Sequence, residues 1–195
     1  MKTSFLETIK SIDGEVQNIE YHQKRYESVL KSFGITLVRN LKILVKAPKD
    51  GTYRCRVVYS PSTLHVDITY HRYNKRDISS LKLVYDDMID YSFKSTCRDE
   101  LNKLFDLKDD CDDILIVKNS LLSDTSIANI AIFKNNMWLT PKIPLLKGTT
   151  RQRLLEEGKI VEADIHVDEL KGISKIALFN AMIDFDIIQN INFKN

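Results

Sequence analysis

Apolar and polar residues mix over Phe5 to Ser11, and the run ends at Asp13-Gly14, a pair suited to a two-residue hairpin turn. A second strand is expected over Val16 to Ile19. From Glu20 to Phe33 the period changes: Tyr21, Tyr26, Val29, Leu30 and Phe33 recur near helical spacing, and Gly34 closes the segment as a helix C-cap would. Leu37 to Val45 has mixed periodicity and is read as helix. Tyr53–Tyr59 and Leu64–Tyr70 each alternate, and Ser60-Pro61-Ser62 between them predicts a second hairpin.

The polar, basic run His71-Arg72-Tyr73-Asn74-Lys75-Arg76 has no apolar period. It reads as a phosphate-binding strip or, more simply, as a solvated connection approaching a domain boundary near residue 77. Beyond it, Ile78–Tyr85 is expected as a strand, and Lys94–Leu107 as a helix carrying Leu101, Leu104 and Phe105. The β-branched run Ile114-Leu115-Ile116-Val117 predicts a strand buried on both faces. A meander over Ile127–Phe133 and Met137–Leu139 turns at Asn135-Asn136. A helix from about Arg151 to Glu157 ends at Gly158. Ile160–Val167 is expected as a strand, Asp168–Leu170 as a short helix, and Ile176–Asn180 as the last strand. The expected fold is α/β (α+β), with a small N-terminal domain over 1–76 and a larger C-terminal domain over 77–195 that contains Lys94.

Composition narrows the function classes. With 195 residues the chain is long enough to bury roughly 70% of its unfolded surface. A net charge of +2 leaves little surplus for a nucleic-acid face. Cys55, Cys97 and Cys111 lack CxxC spacing and are odd in number, so neither a disulfide framework nor a zinc site is expected. No apolar run has the length of a signal or membrane span. A cytoplasmic protein without a membrane or nucleic-acid partner is expected.

The aspartates at 106, 109, 110, 112 and 113 lack the glycine and closing glutamate of a calcium loop, which favours a solvated turn. Gly148-Thr149-Thr150-Arg151, entering a helix, is either an anion site or a threonine N-cap.

Five segments, in order, resemble the class IV (fold-type IV) pyridoxal-phosphate enzymes. Leu6-Glu7-Thr8-Ile9-Lys10 before Asp13-Gly14 is similar to the family's opening Phe-Glu-Thr strand and turn. His22-Gln23-Lys24-Arg25 resembles its His-x-x-Arg helix. Lys94 with Arg98 resembles the lysine segment of the lyase branch. Ser123-Asp124-Thr125-Ser126-Ile127-Ala128-Asn129 is similar to Thr-Glu-x-x-x-x-Asn, and Leu146-Lys147-Gly148-Thr149-Thr150-Arg151 to Leu-x-Gly-Ile-Thr-Arg. Two shorter segments agree: Asp112-Asp113-Ile114-Leu115 resembles the family's Ala-Asp-Glu-Ala-Leu strand, and Phe179-Asn180-Ala181-Met182-Ile183 a lyase-branch Cys-Asn-Ala-Leu-Met segment.

The resemblance implies two small domains with pyridoxal 5′-phosphate in the cleft between them, a small-molecule substrate and a homodimer. Lys94 would carry the cofactor and serve as general base, Arg25 and Thr149-Thr150 would hold the phosphate, and Asp124 would face the ring nitrogen. Ser126, Asn129, Asn180 and Ala181 complete the implied cofactor contacts, and Thr8 would assist proton transfer. Lys82 is the rival for the cofactor lysine. Departures are Asp124 where glutamate is usual, and Ile127 and Ala128 where hydroxyls often sit. The implied activity is 4-amino-4-deoxychorismate lyase; a branched-chain or D-amino-acid aminotransferase and a non-catalytic ligand binder are the alternatives.

Overall fold

The structure is a computed structural model and describes residues 4–195. The chain forms two compact units. The first runs to Lys75 and includes Phe93–Cys97, and the second comprises Arg76–Ser92 and Arg98–Asn195. Lys94, expected beyond the boundary near residue 77, therefore belongs to the first unit.

In the first unit β1 (Phe5–Ile12) and β2 (Glu15–Val16) are joined by Asp13 and Gly14, with φ of 49° and 87°, as a twist-matched hairpin turn requires. Only Glu15 and Val16 pair as β2, and Ile19 already starts helix α1 (Ile19–Ser32), which Gly34 follows at φ 74°. Helix α2 (Leu41–Leu44) is one turn, shorter than the mixed pattern from Leu37 suggested, and the Asn40 side chain caps it by accepting from Ile43 N–H. Strands β3 (Thr52–Tyr59) and β4 (Val66–Arg72) complete an antiparallel sheet in the order β2-β1-β3-β4. Because side chains alternate across a strand, Phe5, Glu7, Ile9 and Ser11 share the face that packs on α1. There Phe5, Ile9, Cys55, Val57 and Tyr59 meet Tyr26, Val29 and Leu30. Tyr26 and Tyr59 close edge to face with ring centres 4.8 Å apart.

The second unit stacks two sheets. Strand β5 (Ser80–Tyr85), helix α3 (Asp99–Asp106) and strands β6 (Asp113–Lys118), β7 (Leu121–Thr125), β8 (Asn129–Lys134) and β9 (Met137–Pro141) are followed by helix α4 (Thr149–Glu156) and β10 (Val161–Ala163). A 3₁₀ turn over Val167–Leu170 leads to β11 (Lys175–Asn180), β12 (Asp184–Gln189) and β13 (Asn192–Lys194). The sheets have the orders β13-β5-β6-β7 and β10-β9-β8-β11-β12. Leu81, Leu115, Val117, Ile130, Ile132, Ile176 and Leu178 fill the layer between them. Alternate residues face the other way: Ile114 and Ile116 pack with Leu101, whereas Ala131, Ala177 and Phe179 pack with Leu154. The unbroken run Ile114–Val117 is thus apolar because both its faces are covered.

Several expectations are corrected. Lys94–Cys97 is not helical: Ser95 bridges Phe5 on the free edge of β1, and α3 begins only at Asp99, where Asp99 and Glu100 favour the positive end of the helix dipole. Strand β7 was not expected, since Ser123-Asp124-Thr125 is polar yet buried. Ile160–Val167 contains only the three-residue β10. Ile176–Asn180 is not the last strand, because β12 and β13 follow it. Within the aspartate run, Asp112 and Asp113 are not a solvated turn. Asp112 accepts from the N–H and hydroxyl groups of both Ser79 and Ser80 at 2.8–3.0 Å, and Asp113 is fully buried.

Candidate active site

In the first unit a buried carboxylate organises an arginine and a histidine. Glu7 lies on the α1 face of β1 and is fully buried. His22 and Arg25, one turn apart on α1, both reach it. His22 Nδ1 lies 2.7 Å from Glu7 Oε2, while Arg25 donates from Nε to Oε1 at 2.8 Å and from Nη2 to Oε2 at 2.5 Å. Burial by itself would raise the Glu7 pKa, but the Arg25 charge and the bonds from His22 and Arg25 outweigh it and lower it to about 2. His22 is pushed below its ordinary value, first by burial and to a smaller degree by the charges of Arg25 and Lys94, despite the opposing effect of Glu7. The fork fixes the Arg25 guanidinium in one orientation, as anion recognition requires.

Lys94 comes to this unit through backbone pairing. Leu6 N–H donates to Lys94 O and Thr96 N–H to Ser4 O, both at 2.9 Å, around the antiparallel Phe5–Ser95 bridge. This register sets Lys94 across from Leu6. Thr8, two positions along β1, lies on the same side, opposite to the face that carries Glu7.

In the second unit the polar residues of β7 and the segment after it form one network. Asp124 is buried, and its oxygens accept from Asn129 Nδ2 and from Leu146 N–H, each at 2.8 Å. Burial dominates over these bonds and over the Arg151 charge, pushing Asp124 up to about 7. Asn129 also donates to Leu146 O at 2.8 Å. Its Oδ1 lies against Gly148, in the space that a Cβ there would occupy, so this glycine is required for room rather than for its backbone angle.

Gly148 is the N-cap of α4, with no side chain capping, and Thr149 and Thr150 are the first two helical residues. The threonine-cap reading is therefore corrected. Among the described residues neither threonine hydroxyl has a hydrogen-bond partner although both residues are buried, and the first-turn N–H groups have no intrahelical acceptors. Arg151 is buried as well and secures α4 through Nη2 to Pro141 O at 2.8 Å and to Glu162 Oε1 at 2.7 Å.

The 126–128 segment is anchored from three sides. Arg98 Nη2 donates to Ser126 O at 2.9 Å, and Asp113 Oδ1 accepts from Ser126 N–H at 3.4 Å. Asn180 Nδ2 donates to Ile127 O at 3.1 Å, while Asn180 Oδ1 accepts from Met182 N–H at 2.8 Å to form the turn that presents half-buried Ala181. Burial pushes the Asp113 carboxyl above its ordinary value, against the opposing effect of Ser126, the Ile114 N–H and Arg76. Lys82 is occupied: its Nζ donates to Asn195 O at 2.7 Å and pairs with Asp109 at 2.9 Å.

The structure places Arg25, Thr8 and Lys94 in one unit, with Arg25 on the α1 face of the sheet and Thr8 on the opposite face, and Asp124, Ser126, Asn129, Thr149, Thr150, Asn180 and Ala181 in the other unit. Glu7, His22, Asp113 and Arg98 are structural partners to which the sequence assigned no role of their own. Glu7 had a signal: it shares strand parity with the apolar Phe5 and Ile9, and a carboxylate on a core face needs cations to meet it.

The sequence pattern of amino-transferase class IV matches residues 4–191. This chain belongs to the class IV aminotransferase family. An "uncharacterized protein" of Haemophilus influenzae is 37% identical over 182 residues, which is 90% of this chain and 96% of that one. The crystal structure of a "putative 4-amino-4-deoxychorismate lyase" of Haemophilus somnus is 34% identical, with a TM-score of 0.84 over 93% of this chain and 97% of that one. A "hypothetical aminotransferase" of Mycobacterium tuberculosis, in its PLP-bound form, shares the fold at 16% identity, with a TM-score of 0.81 over 99% of this chain and 82% of that one.

The cofactor of this class IV protein is pyridoxal 5′-phosphate. The residues present fit it chemically. An oriented guanidinium, threonine hydroxyls without a partner among the described residues at a helix N-terminus, and a carboxylate in a dry site are the groups that a phosphate and a protonated ring nitrogen ask for.

Proposed function

We propose that the protein is a 4-amino-4-deoxychorismate lyase, forming 4-aminobenzoate and pyruvate. The observation that carries this reading is the backbone register that sets Lys94 across from Leu6, with Thr8 next on the same side. This spacing suits a base and a proton donor acting on neighbouring atoms of one substrate. Likeness to the Haemophilus somnus protein across nearly the whole of both chains supports it.

When bound, the cofactor supplies an electron sink joined to the substrate amine. Lys94 takes the proton from the ring carbon that bears the amine. The electron pair released there closes the aromatic ring as the adjacent carbon–oxygen bond breaks, and the enolpyruvyl group leaves. That group gains a proton, with Thr8 as its relay, and becomes pyruvate, so no further reagent is needed. Arg25, fixed by Glu7, and the Thr149-Thr150 helix terminus hold the phosphate. Asp124, with Asn129 beside it, keeps the ring nitrogen protonated. Ser126 and Asn180 shape the 126–128 segment, and Ala181 would offer backbone to the bound group. A homodimer and a cytoplasmic setting accompany this reading.

The test is formation of 4-aminobenzoate from aminodeoxychorismate by the purified, PLP-loaded protein, followed by its fluorescence. No product, together with conversion of the cofactor to its pyridoxamine form by an amino acid, would replace the lyase reading with that of a transaminase.

A further inference from the structure

A three-residue turn closes on Lys94. Ser95 N–H donates to Phe93 O at 2.7 Å, and φ at Lys94 is not positive, so this is the inverse γ form common at strand ends. One residue alone separates donor from acceptor. The direction in which the Lys94 side chain leaves the backbone is therefore set by where Phe93 and Ser95 are held. After Lys94, Ser95 bridges Phe5, and Thr96 reaches Ser4 O with its N–H at 2.9 Å and its hydroxyl at 3.1 Å. Cys97 N–H donates to the Ser95 hydroxyl at 3.0 Å.

Before Lys94 the anchor is an aromatic ring. Phe93 meets Phe5 edge to face with ring centres 5.7 Å apart and Phe33 at 6.4 Å, while Phe5 and Phe33 are 5.3 Å apart, so the three rings close a triangle. These spacings are those of favourable aromatic pairs. Phe5 belongs to the core at 2% exposure and gives the other two a fixed seat. Phe93 and Phe33 remain 42% and 50% exposed, so removing either ring leaves the core of the unit in place. Phe33 directly follows α1, the helix whose Arg25 is forked by Glu7. The turn that carries Lys94 is thus fixed, through rings, to the helix that carries Arg25.

We propose that Phe93 is a positioning residue for Lys94: seated on Phe5 and Phe33, its ring holds the turn in the setting from which the lysine amine reaches the cofactor aldehyde. The inference rests on the assignment of Lys94 as the cofactor lysine under the proposed function, and not on which reaction follows. Attachment requires the Lys94 amine to attack the aldehyde carbon, form a carbon–nitrogen double bond and release one water. A turn held in place keeps the amine near that carbon, whereas a turn free to open spreads it over many positions. Arg25 is held by Glu7 and does not need the Phe93 ring. Loss of the ring therefore separates capture of the cofactor by its phosphate from its covalent attachment.

The experiment compares wild type, Phe93→Ala, Phe93→Tyr, which keeps the ring, and Ile43→Ala, an exposed apolar control on α2, with two readouts. In the cofactor-free protein, amide hydrogen exchange of Leu6 and Thr96, the donors to Lys94 O and Ser4 O, is expected to quicken about fivefold in Phe93→Ala. It is expected to keep the wild-type rate in Phe93→Tyr and Ile43→Ala. With PLP added, the total bound is expected to stay within about twofold of wild type in every variant, while the rate at which PLP becomes fixable to Lys94 by borohydride falls about tenfold in Phe93→Ala alone. Exchange and fixation both unchanged in Phe93→Ala would overturn the proposal, and so would equal losses of total and fixed PLP. If wild type is fixed at no lysine, or at Lys82, while exchange still quickens in Phe93→Ala, the Lys94 assignment fails and the ring's hold on the turn stands. If wild type is fixed at Lys94 and the rate is unchanged in Phe93→Ala, the assignment stands and the positioning role falls.

Discussion

Gly148 and Asn129 approach each other so closely that no side chain fits between them. The contact joins the start of α4 to the amide that holds Asp124, so the helix terminus and the buried carboxylate are positioned by one another. Gly148→Ala is expected to push Asn129 aside, break its bonds to Asp124 and to Leu146 O, and cost about 2 kcal/mol, the scale of orphaning one buried polar group. Urea unfolding of wild type and variant measures it. An unchanged midpoint would show that the two segments are not coupled.

Glu7→Gln removes the charge that orients Arg25 and His22. PLP affinity, read by absorbance titration, is expected to fall about tenfold, because the guanidinium loses its charge-assisted fork while the fold keeps a similar shape. The pH dependence has a definite sign. The folded pKa of about 2 lies below the ordinary 4.5, so the stability Glu7 contributes is present above pH 4.5 and is lost as pH falls toward 2. Acid unfolding of Glu7→Gln is expected to lack that part of the transition.

Asp124 behaves in the opposite way. Its folded pKa of about 7 lies above the ordinary 3.8, so without cofactor the folded state binds the extra proton and stability falls as pH rises from 3.8 to 7. Asp124→Asn is expected to remove this slope, worth on the order of 4 kcal/mol across the window. Thermal melts of the apoprotein between pH 4 and pH 7 test it. A wild-type curve parallel to that of Asp124→Asn would place the carboxylate in a wetter site than the structure describes.

Lys94→Ala is expected to abolish the visible band of PLP-loaded protein and its fixation by borohydride, with the apoprotein still folded. Lys82→Ala is expected to keep both, because Lys82 is committed to Asp109 and to the Asn195 carbonyl. A band that survives in Lys94→Ala and is lost in Lys82→Ala would reverse the assignment.

What was legible in the sequence is what neighbours along the chain decide. Asp13-Gly14 and Asn135-Asn136 adopt left-handed backbone in tight turns, Gly34 and Gly158 follow helix ends with positive φ, and Ile114–Val117 is buried on both faces. These depend on local sterics and on the period of apolar residues. Motif order likewise pointed to the family, because the residue types follow from the chemistry of the cofactor.

Tertiary structure alone decided the rest. Lys94 lies in extended rather than helical chain because the free edge of β1, about ninety residues earlier, offers it backbone partners. Glu7 is ionised and Asp124 is poised near neutrality for the same kind of reason: both are buried, but one meets a guanidinium and an imidazole on α1 and the other meets an amide and backbone N–H groups. Charge and protonation depend on which groups are within a few ångströms, and that proximity is set by strand pairing and packing between distant segments, which sequence spacing does not encode.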